Sequence, residues 1–110
     1  MHITQTKVND FISVAIEGEV DLNSSPELRK VFTDLTSKGT QKIIINFAKV
    51  SYIDSSGLAT LIEMMQRLKK GEGKMCLVNM SDKIKSLFEI TKLDKLFAIY
   101  RTQEEALQTT

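Results

Sequence analysis

The chain has 110 residues, of which 42% are hydrophobic and 26% are charged, and its formal net charge is +1. This composition is typical of a single folded domain and excludes a disordered chain. The balanced charge gives no support for nucleic-acid binding, and no apolar stretch approaches the ~20 residues of a membrane span. The one cysteine, Cys76, excludes an intrachain disulfide. The segment 1–7 has no apolar core for a signal peptide, so we expect a cytoplasmic protein.

Two strands are predicted first along the chain. Alternating apolar and polar residues indicate a strand over 11–17, and an edge strand over 2–8 is predicted before it. The Asn9-Asp10 pair suits a two-residue turn, which would pair the two strands antiparallel. A polar loop is predicted over 18–23.

A first helix is predicted to begin at Ser25-Pro26-Glu27. Ser25 is the expected N-cap, Pro26 occupies the first helical position and Glu27 lies at the positive end of the dipole. Gly39 is the expected stop. The next strand, over 43–47, is a nearly continuous β-branched run, which suits a central strand covered on both faces.

A second helix is predicted from about Ser56 to Lys70, followed by glycines at 71 and 73. Its buried stripe is formed by apolar residues at helical spacing: Leu58, Leu61, Ile62, Met65 and Leu68. Met64 is adjacent to this stripe, and we expect its side chain to be exposed and to contact a partner.

The remaining elements are predicted as a strand over 74–79, a helix that opens at Ser81, a short strand over 96–100 and a helix over 102–107. The full order is β-β-α-β-α-β-α-β-α, which predicts an α/β fold with a mixed β-sheet packed against helices. Sites in such folds usually lie at the carboxyl ends of the parallel strands. Two polar loops are expected there, over 19–25 and 51–57.

The residues of common catalytic and metal sites are missing from the sequence. A serine nucleophile needs a base, and the one histidine, His2, lies near a chain end. Ile53 and Asp54 occupy the positions before Ser55, so the G-x-S-x-G pattern is absent. One cysteine and one histidine cannot form a zinc site, and no standard nucleotide-binding loop is present. We therefore predict no catalytic residue, no metal and no cofactor.

The run Asp54-Ser55-Ser56-Gly57 stands between the central strand and the second helix. On local grounds it is a helix cap, because aspartate and serine are both preferred N-cap residues. One residue suffices for a cap, so a spare hydroxyl would point outward at the positive end of a helix. Backbone N–H groups and the helix dipole make that a favourable place for a phosphate. The two interpretations are not exclusive.

The run V-S-Y-I-D-S-S-G-L over 50–58 closely resembles the motif of the bacterial anti-sigma factor antagonists, the small single-domain members of the STAS family. The similarity covers almost the whole chain. E-G-E-V-D over 17–21 resembles the first polar loop of the family, and K-I-I-I-N-F over 42–47 resembles its central strand. I-K-S-L-F over 84–88 and L-D-K-L-F over 93–97 resemble its C-terminal region. The resemblance implies a single STAS domain over 1–110, with a STAS-like mixed sheet.

The resemblance also implies a regulatory, non-enzymatic function. Ser55 is the implied phosphorylation site, and Asp21, Asp54, Ser56 and Gly57 are implied members of the partner-binding region. In the family, the partner is an anti-sigma factor that is also a serine kinase. The unmodified antagonist binds it and thereby releases a sigma factor, and a PP2C-type serine phosphatase restores the unmodified form.

Two other functions stay open on the sequence alone. A STAS domain could be a scaffold or a subunit of a transport or signalling assembly, with Ser55 acting only as a cap. It could instead bind a nucleotide at the same helix start, although no glycine-rich phosphate loop supports this. Tight binding of ATP or GTP without a partner would favour the nucleotide-binding function.

Overall fold

A computed structural model describes residues 1–109, and within them five strands and four α-helices follow one another in the predicted order. The strands are β1 (His2–Val8), β2 (Phe11–Val20), β3 (Lys42–Ile53), β4 (Lys74–Val78) and β5 (Ala98–Tyr100). The helices are α1 (Ser25–Ser37), α2 (Ser55–Lys70), α3 (Asp82–Ile90) and α4 (Gln103–Thr109), and a 3₁₀ turn at Leu93–Lys95 precedes β5.

The five strands form one sheet in the order β1-β2-β3-β4-β5. Strands β1 and β2 pair antiparallel through the turn at Asn9 and Asp10, and the three other pairs are parallel. The predicted mixed α/β sheet is confirmed. Because β2, β3, β4 and β5 run in the same direction, their carboxyl ends lie at one edge of the sheet, where α/β folds place their sites.

The core lies on both faces of the central strand. Ile43 and Ile45 belong to the larger apolar cluster, which also contains the buried side chains of α1, α2 and α3. Ile44 points to the opposite face and packs in a smaller cluster with Cys76 and with Ala106 of α4. Alternate residues of one strand are thus buried on both sides, which explains its continuous β-branched sequence.

Both parallel strands that lead to the polar loops are longer than predicted. Strand β2 continues to Val20 and β3 continues to Ile53. The pairing of the two strands shifts between Ala15 and Glu17 and again after Gly18, whose φ is 109°. Such irregularities interrupt the alternation of apolar and polar residues on which the prediction rested.

The first helix begins as predicted, but its cap lies one residue earlier. Ser24 is the N-cap residue, and Ser25 is already helical and buried. The Ser25 hydroxyl donates to the carbonyl oxygen of Asp21 at 2.6 Å instead of capping the helix. The prediction of Ser25 as the N-cap is therefore wrong by one position.

The expectation that Met64 is exposed is also wrong. Its side chain is 1% exposed and belongs to the main apolar cluster. Met64 lies three residues after Leu61 and four residues before Leu68, so it shares their face of the helix. Helix α2 packs against α1 as well as against the sheet, and its buried stripe is correspondingly wide. None of the helices within residues 1–109 is long and apolar enough to cross a membrane.

Candidate functional site

The two polar loops start side by side at the carboxyl edge of the sheet. Val20 and Ile53, the last residues of β2 and β3, are paired in register. Each is followed directly by an aspartate, Asp21 in one loop and Asp54 in the other. The backbone N–H of Asp54 donates to the carbonyl oxygen of Val20 at 3.1 Å. The pairing of β2 with β3 therefore places Asp21 and Asp54, the first residue of each loop, side by side at the carboxyl edge of the sheet.

The carboxylate of Asp54 connects the two loops. Its Oδ1 accepts the backbone N–H of Gly57 at 3.0 Å, which makes Asp54 the N-cap of α2. Its Oδ2 accepts the backbone N–H of Leu22 at 3.2 Å. One side chain thus caps the helix and holds the neighbouring loop, and no serine is needed for the cap.

Gly57 has a packing function at the start of α2. A Cβ atom built on this residue would lie 2.6 Å from the carbonyl oxygen of Val20 and 2.7 Å from Cγ1 of Ile53. Both distances are far below normal contact, so only glycine lets the helix start so close to the strand ends. Gly57 is buried. Gly57 therefore shapes the start of α2 from inside, and its place in the partner-binding region stays a prediction.

The Ser55 side chain is exposed, and its hydroxyl makes no hydrogen bond with any of residues 1–109. Ser56 is half-buried, and its carbonyl oxygen accepts the hydroxyl of Thr60 at 3.0 Å, which belongs to the first turns of the helix. The first N–H groups of a helix have no intrahelical acceptors. An anion attached to Ser55 would meet these groups and the positive end of the dipole.

Asp21 organises the first loop. Its Oδ1 accepts the backbone N–H groups of Asn23 and Ser24, each at 3.0 Å. The hydroxyl of Ser24 accepts the backbone N–H of Asp21 at 2.9 Å and donates to the carbonyl oxygen of Glu19 at 2.8 Å. Hydrogen bonds from the backbone N–H of Ser24 and then of Asn23 hold the pKa of the Asp21 carboxyl below its usual value. Asp21 is therefore a negatively charged residue at neutral pH.

Two exposed apolar side chains flank the site and were not singled out by the sequence. Leu22 lies between Asp21 and Asn23 and is 71% exposed, and Tyr52, the second-last residue of β3, is 45% exposed. The sequence shows that Leu22 follows Asp21 directly and that Tyr52 lies two residues before Asp54. Their exposure could not be read from the sequence, because it depends on how the loops fold.

Within residues 1–109, no three histidine, cysteine, aspartate or glutamate side chains converge in a way that could hold a metal ion. Asp54 directly precedes Ser55, and Asp21 follows Val20, which pairs with Ile53 in the neighbouring strand. The site therefore presents the exposed hydroxyl of Ser55 at the start of α2, directly after the carboxylate of Asp54.

The chain belongs to the STAS domain family, whose model matches residues 2–106. Among curated relatives, the anti-sigma-B factor antagonist of Staphylococcus aureus is 34% identical over 99 residues, which cover 90% of this chain and 92% of the relative.

Solved structures of anti-sigma factor antagonists share this fold. An anti-sigma factor antagonist from Mycobacterium paratuberculosis is 23% identical and matches with a TM-score of 0.88, over 98% of this chain and 92% of that one. The Bacillus protein SpoIIAA matches in its unphosphorylated form with a TM-score of 0.76 at 23% identity, over 98% of this chain and 96% of that one. Its phosphorylated form matches with a TM-score of 0.75 at 24% identity, and 98% of each chain is covered.

Proposed function

We propose that this protein is an anti-sigma factor antagonist that works as a phosphorylation-controlled partner switch. In the unmodified form it binds an anti-sigma factor that is also a serine kinase, and a sigma factor is released. The kinase then transfers a phosphate to Ser55, which ends binding, and a PP2C-type serine phosphatase removes the phosphate. The protein is an acceptor of phosphate in the cytoplasm, it has no catalytic function, and it needs no cofactor of its own.

The observation that carries the proposal is the state of Ser55. Its hydroxyl is exposed and unbonded within residues 1–109, because the cap of α2 is provided by Asp54. A serine that only capped the helix would accept a backbone N–H and would be drawn into the helix start. Ser55 is instead free to enter the active site of a kinase without any loss of a native hydrogen bond.

Electrostatics explain how a phosphate at this position acts as a switch. A phosphate adds a charge of about −1.5 to −2. In the free protein the start of α2 tolerates this charge, with a favourable interaction of up to ~2 kcal/mol. In a complex the same group must lose water beside the carboxylates of Asp21 and Asp54. A net penalty of about 2.7 kcal/mol would weaken binding a hundredfold.

The proposed contact surface is formed by Ser55 together with Asp21, Asp54 and Ser56, whose side chains border the two loops. Gly57 and Met64 are buried, and we place neither in direct contact with the partner. The family match over residues 2–106 supports one STAS domain over 1–110. The names of the relatives support the antagonist function as such.

The proposal is tested with the anti-sigma factor kinase cloned from the same bacterium. The purified kinase, Mg²⁺ and ATP are added to wild type and to Ser55→Ala and Ser56→Ala variants, and intact mass and peptide mapping locate the phosphate. We expect one phosphate on Ser55 in wild type and in Ser56→Ala, and none in Ser55→Ala. We also expect Ser55→Ala to bind the kinase as well as the unmodified wild type does.

Two results would count against the proposal. Phosphate on Ser56 in the Ser55→Ala variant would show that the acceptor is wrongly assigned. No phosphate and no binding would favour a scaffold or a nucleotide-binding domain, and a titration with ATP and GTP in the absence of kinase separates these two functions.

A further inference from the structure

Leu22 is an exposed leucine on a loop that the structure holds rigidly. A single exposed leucine needs no explanation by itself, because apolar atoms form much of any protein surface. Leu22 differs in its setting. It is 71% exposed, it follows Asp21 directly, and its backbone is bonded to Asp54, the residue before Ser55.

Every backbone N–H group from Asp21 to Ser25 has an acceptor. Within the loop, Asp21 donates to Ser24 Oγ, and Asn23 and Ser24 both donate to Asp21 Oδ1. Ser25 donates to the carbonyl oxygen of Asp21 at 2.8 Å. Leu22 alone donates outside the loop, to Asp54 Oδ2. The loop is therefore fixed to itself and to the start of α2.

This hydrogen-bond network fixes the backbone of Leu22 while it leaves the side chain in solvent. A loop that is already ordered loses little conformational entropy when a partner binds to it. In many interfaces a few side chains that fill pockets on the partner contribute most of the binding energy. Most of them are aromatic residues or arginine and leucine is less frequent, so the case for Leu22 rests on its fixed and exposed position. The network thus gives Leu22 the properties of an anchor residue.

We propose that Leu22 is the apolar anchor of the switch surface and inserts into an apolar pocket of the kinase. This inference rests on the proposed function. It also explains why phosphate opposes binding: when Leu22 enters its pocket, Ser55 is brought into the same interface through Asp54. A phosphate on Ser55 must then lose its water for Leu22 to be buried.

The experiment compares Leu22→Ala with Leu96→Ala, a matched control. Leu96 is 42% exposed and lies near Lys69 and Lys74, at the end of α2 opposite to Ser55. A helix of 16 residues separates the two sites by about 24 Å. The dissociation constant of each unmodified variant is measured with the purified anti-sigma factor kinase, together with KM and kcat for phosphorylation of Ser55 and the melting temperature.

We expect Leu22→Ala to weaken binding by at least about tenfold and to raise KM, with kcat and the melting temperature unchanged. Leu96→Ala should bind within about twofold of wild type, as for most residues outside a contact. Equal affinities of Leu22→Ala and wild type would overturn the inference and leave the proposed function intact. A wild-type protein that neither binds the kinase nor is phosphorylated on Ser55 would overturn both.

Discussion

Asp54 and Leu22 are joined by a hydrogen bond of 3.2 Å between the Asp54 carboxylate and the Leu22 backbone N–H. The bond spans 32 positions of the sequence and connects the loop after β3 to the loop after β2. The other oxygen of the same carboxylate caps α2 through Gly57. The stability of the helix start and the position of the first loop therefore depend on one side chain.

Substitutions of Asp54 should separate these two functions. Asp54→Asn keeps an oxygen that can cap α2, since asparagine and aspartate are about equally good N-caps. The amide nitrogen of asparagine cannot accept the Leu22 N–H. We expect Asp54→Asn to lose little stability but to show faster hydrogen exchange at Leu22. Asp54→Ala should lose both interactions and about 1 kcal/mol of unfolding free energy from the cap alone.

Ser81→Ala is the control for a lost cap. Ser81 is the N-cap of α3, and its hydroxyl accepts the backbone N–H of Ile84 at 3.3 Å. The variant should lose about 1 kcal/mol of stability and keep the affinity for the kinase. If Ser81→Ala weakened kinase binding as much as Asp54→Ala does, general destabilisation would explain both results.

Asp21 should prove to be a structural residue of the loop as well as a residue of the proposed contact surface. Its carboxylate accepts two backbone N–H groups, so Asp21→Ala leaves both without an acceptor. We expect Asp21→Ala to lower the melting temperature and to broaden the amide signals of Leu22, Asn23 and Ser24. Asp21→Asn keeps an acceptor oxygen and should preserve the loop. Weaker kinase binding by Asp21→Asn, with a native loop, would isolate the effect of the charge.

The depressed pKa of Asp21 predicts a specific pH dependence. A carboxyl whose pKa is lower in the folded state stabilises the fold above its unfolded pKa, and this contribution is lost as the pH falls through the folded value. The melting temperature of wild type should therefore exceed that of Asp21→Asn at neutral pH. The difference should disappear in acid, where Asp21 is protonated. A difference that grows toward low pH would contradict the assigned direction.

Gly57→Ala should be strongly destabilising. The added Cβ would meet a backbone oxygen of Val20 at 2.6 Å, and neither the strand nor the helix start can move without loss of pairing. Overpacking of this kind typically costs about 1–3 kcal/mol. Gly71→Ala is the matched control, because the nearest atom to a Cβ there is 3.7 Å away and the φ of Gly71 is −93°. Urea unfolding of the two variants measures the contrast.

The sequence was sufficient for the order of the elements and for the two strands after which the polar loops come, because periodicity is a local signal. It was insufficient where the burial or the hydrogen-bond partner of a side chain depends on residues that are distant in the sequence. Met64 was expected on the surface, but it is buried in the main apolar cluster, in a helix that packs against both α1 and the sheet. The three residues that could cap α2 were equivalent in the sequence; in the structure Asp54 is the cap, and its second carboxylate oxygen accepts the Leu22 N–H.

Phosphorylation should change the contact surface and leave the fold as it is. Helix α2 buries Leu58, Leu61 and Leu68, each with about 1.5–3 kcal/mol of burial energy. A phosphate at the start of α2 interacts favourably with the dipole and cannot disrupt this packing.

Phosphorylated and unmodified protein should therefore give nearly the same far-UV circular dichroism and the same amide shifts outside residues 19–25 and 51–59. Their affinities for the kinase should differ by at least about a hundredfold, which corresponds to ~2.7 kcal/mol.

Ser55→Asp should reproduce only part of this difference, because one carboxylate has less charge and fewer acceptor oxygens than a phosphate. Ser56→Asp is the matched control for added charge next to Ser55. Amide shifts that spread through β4 and α3 upon phosphorylation would contradict a surface effect and indicate a conformational switch.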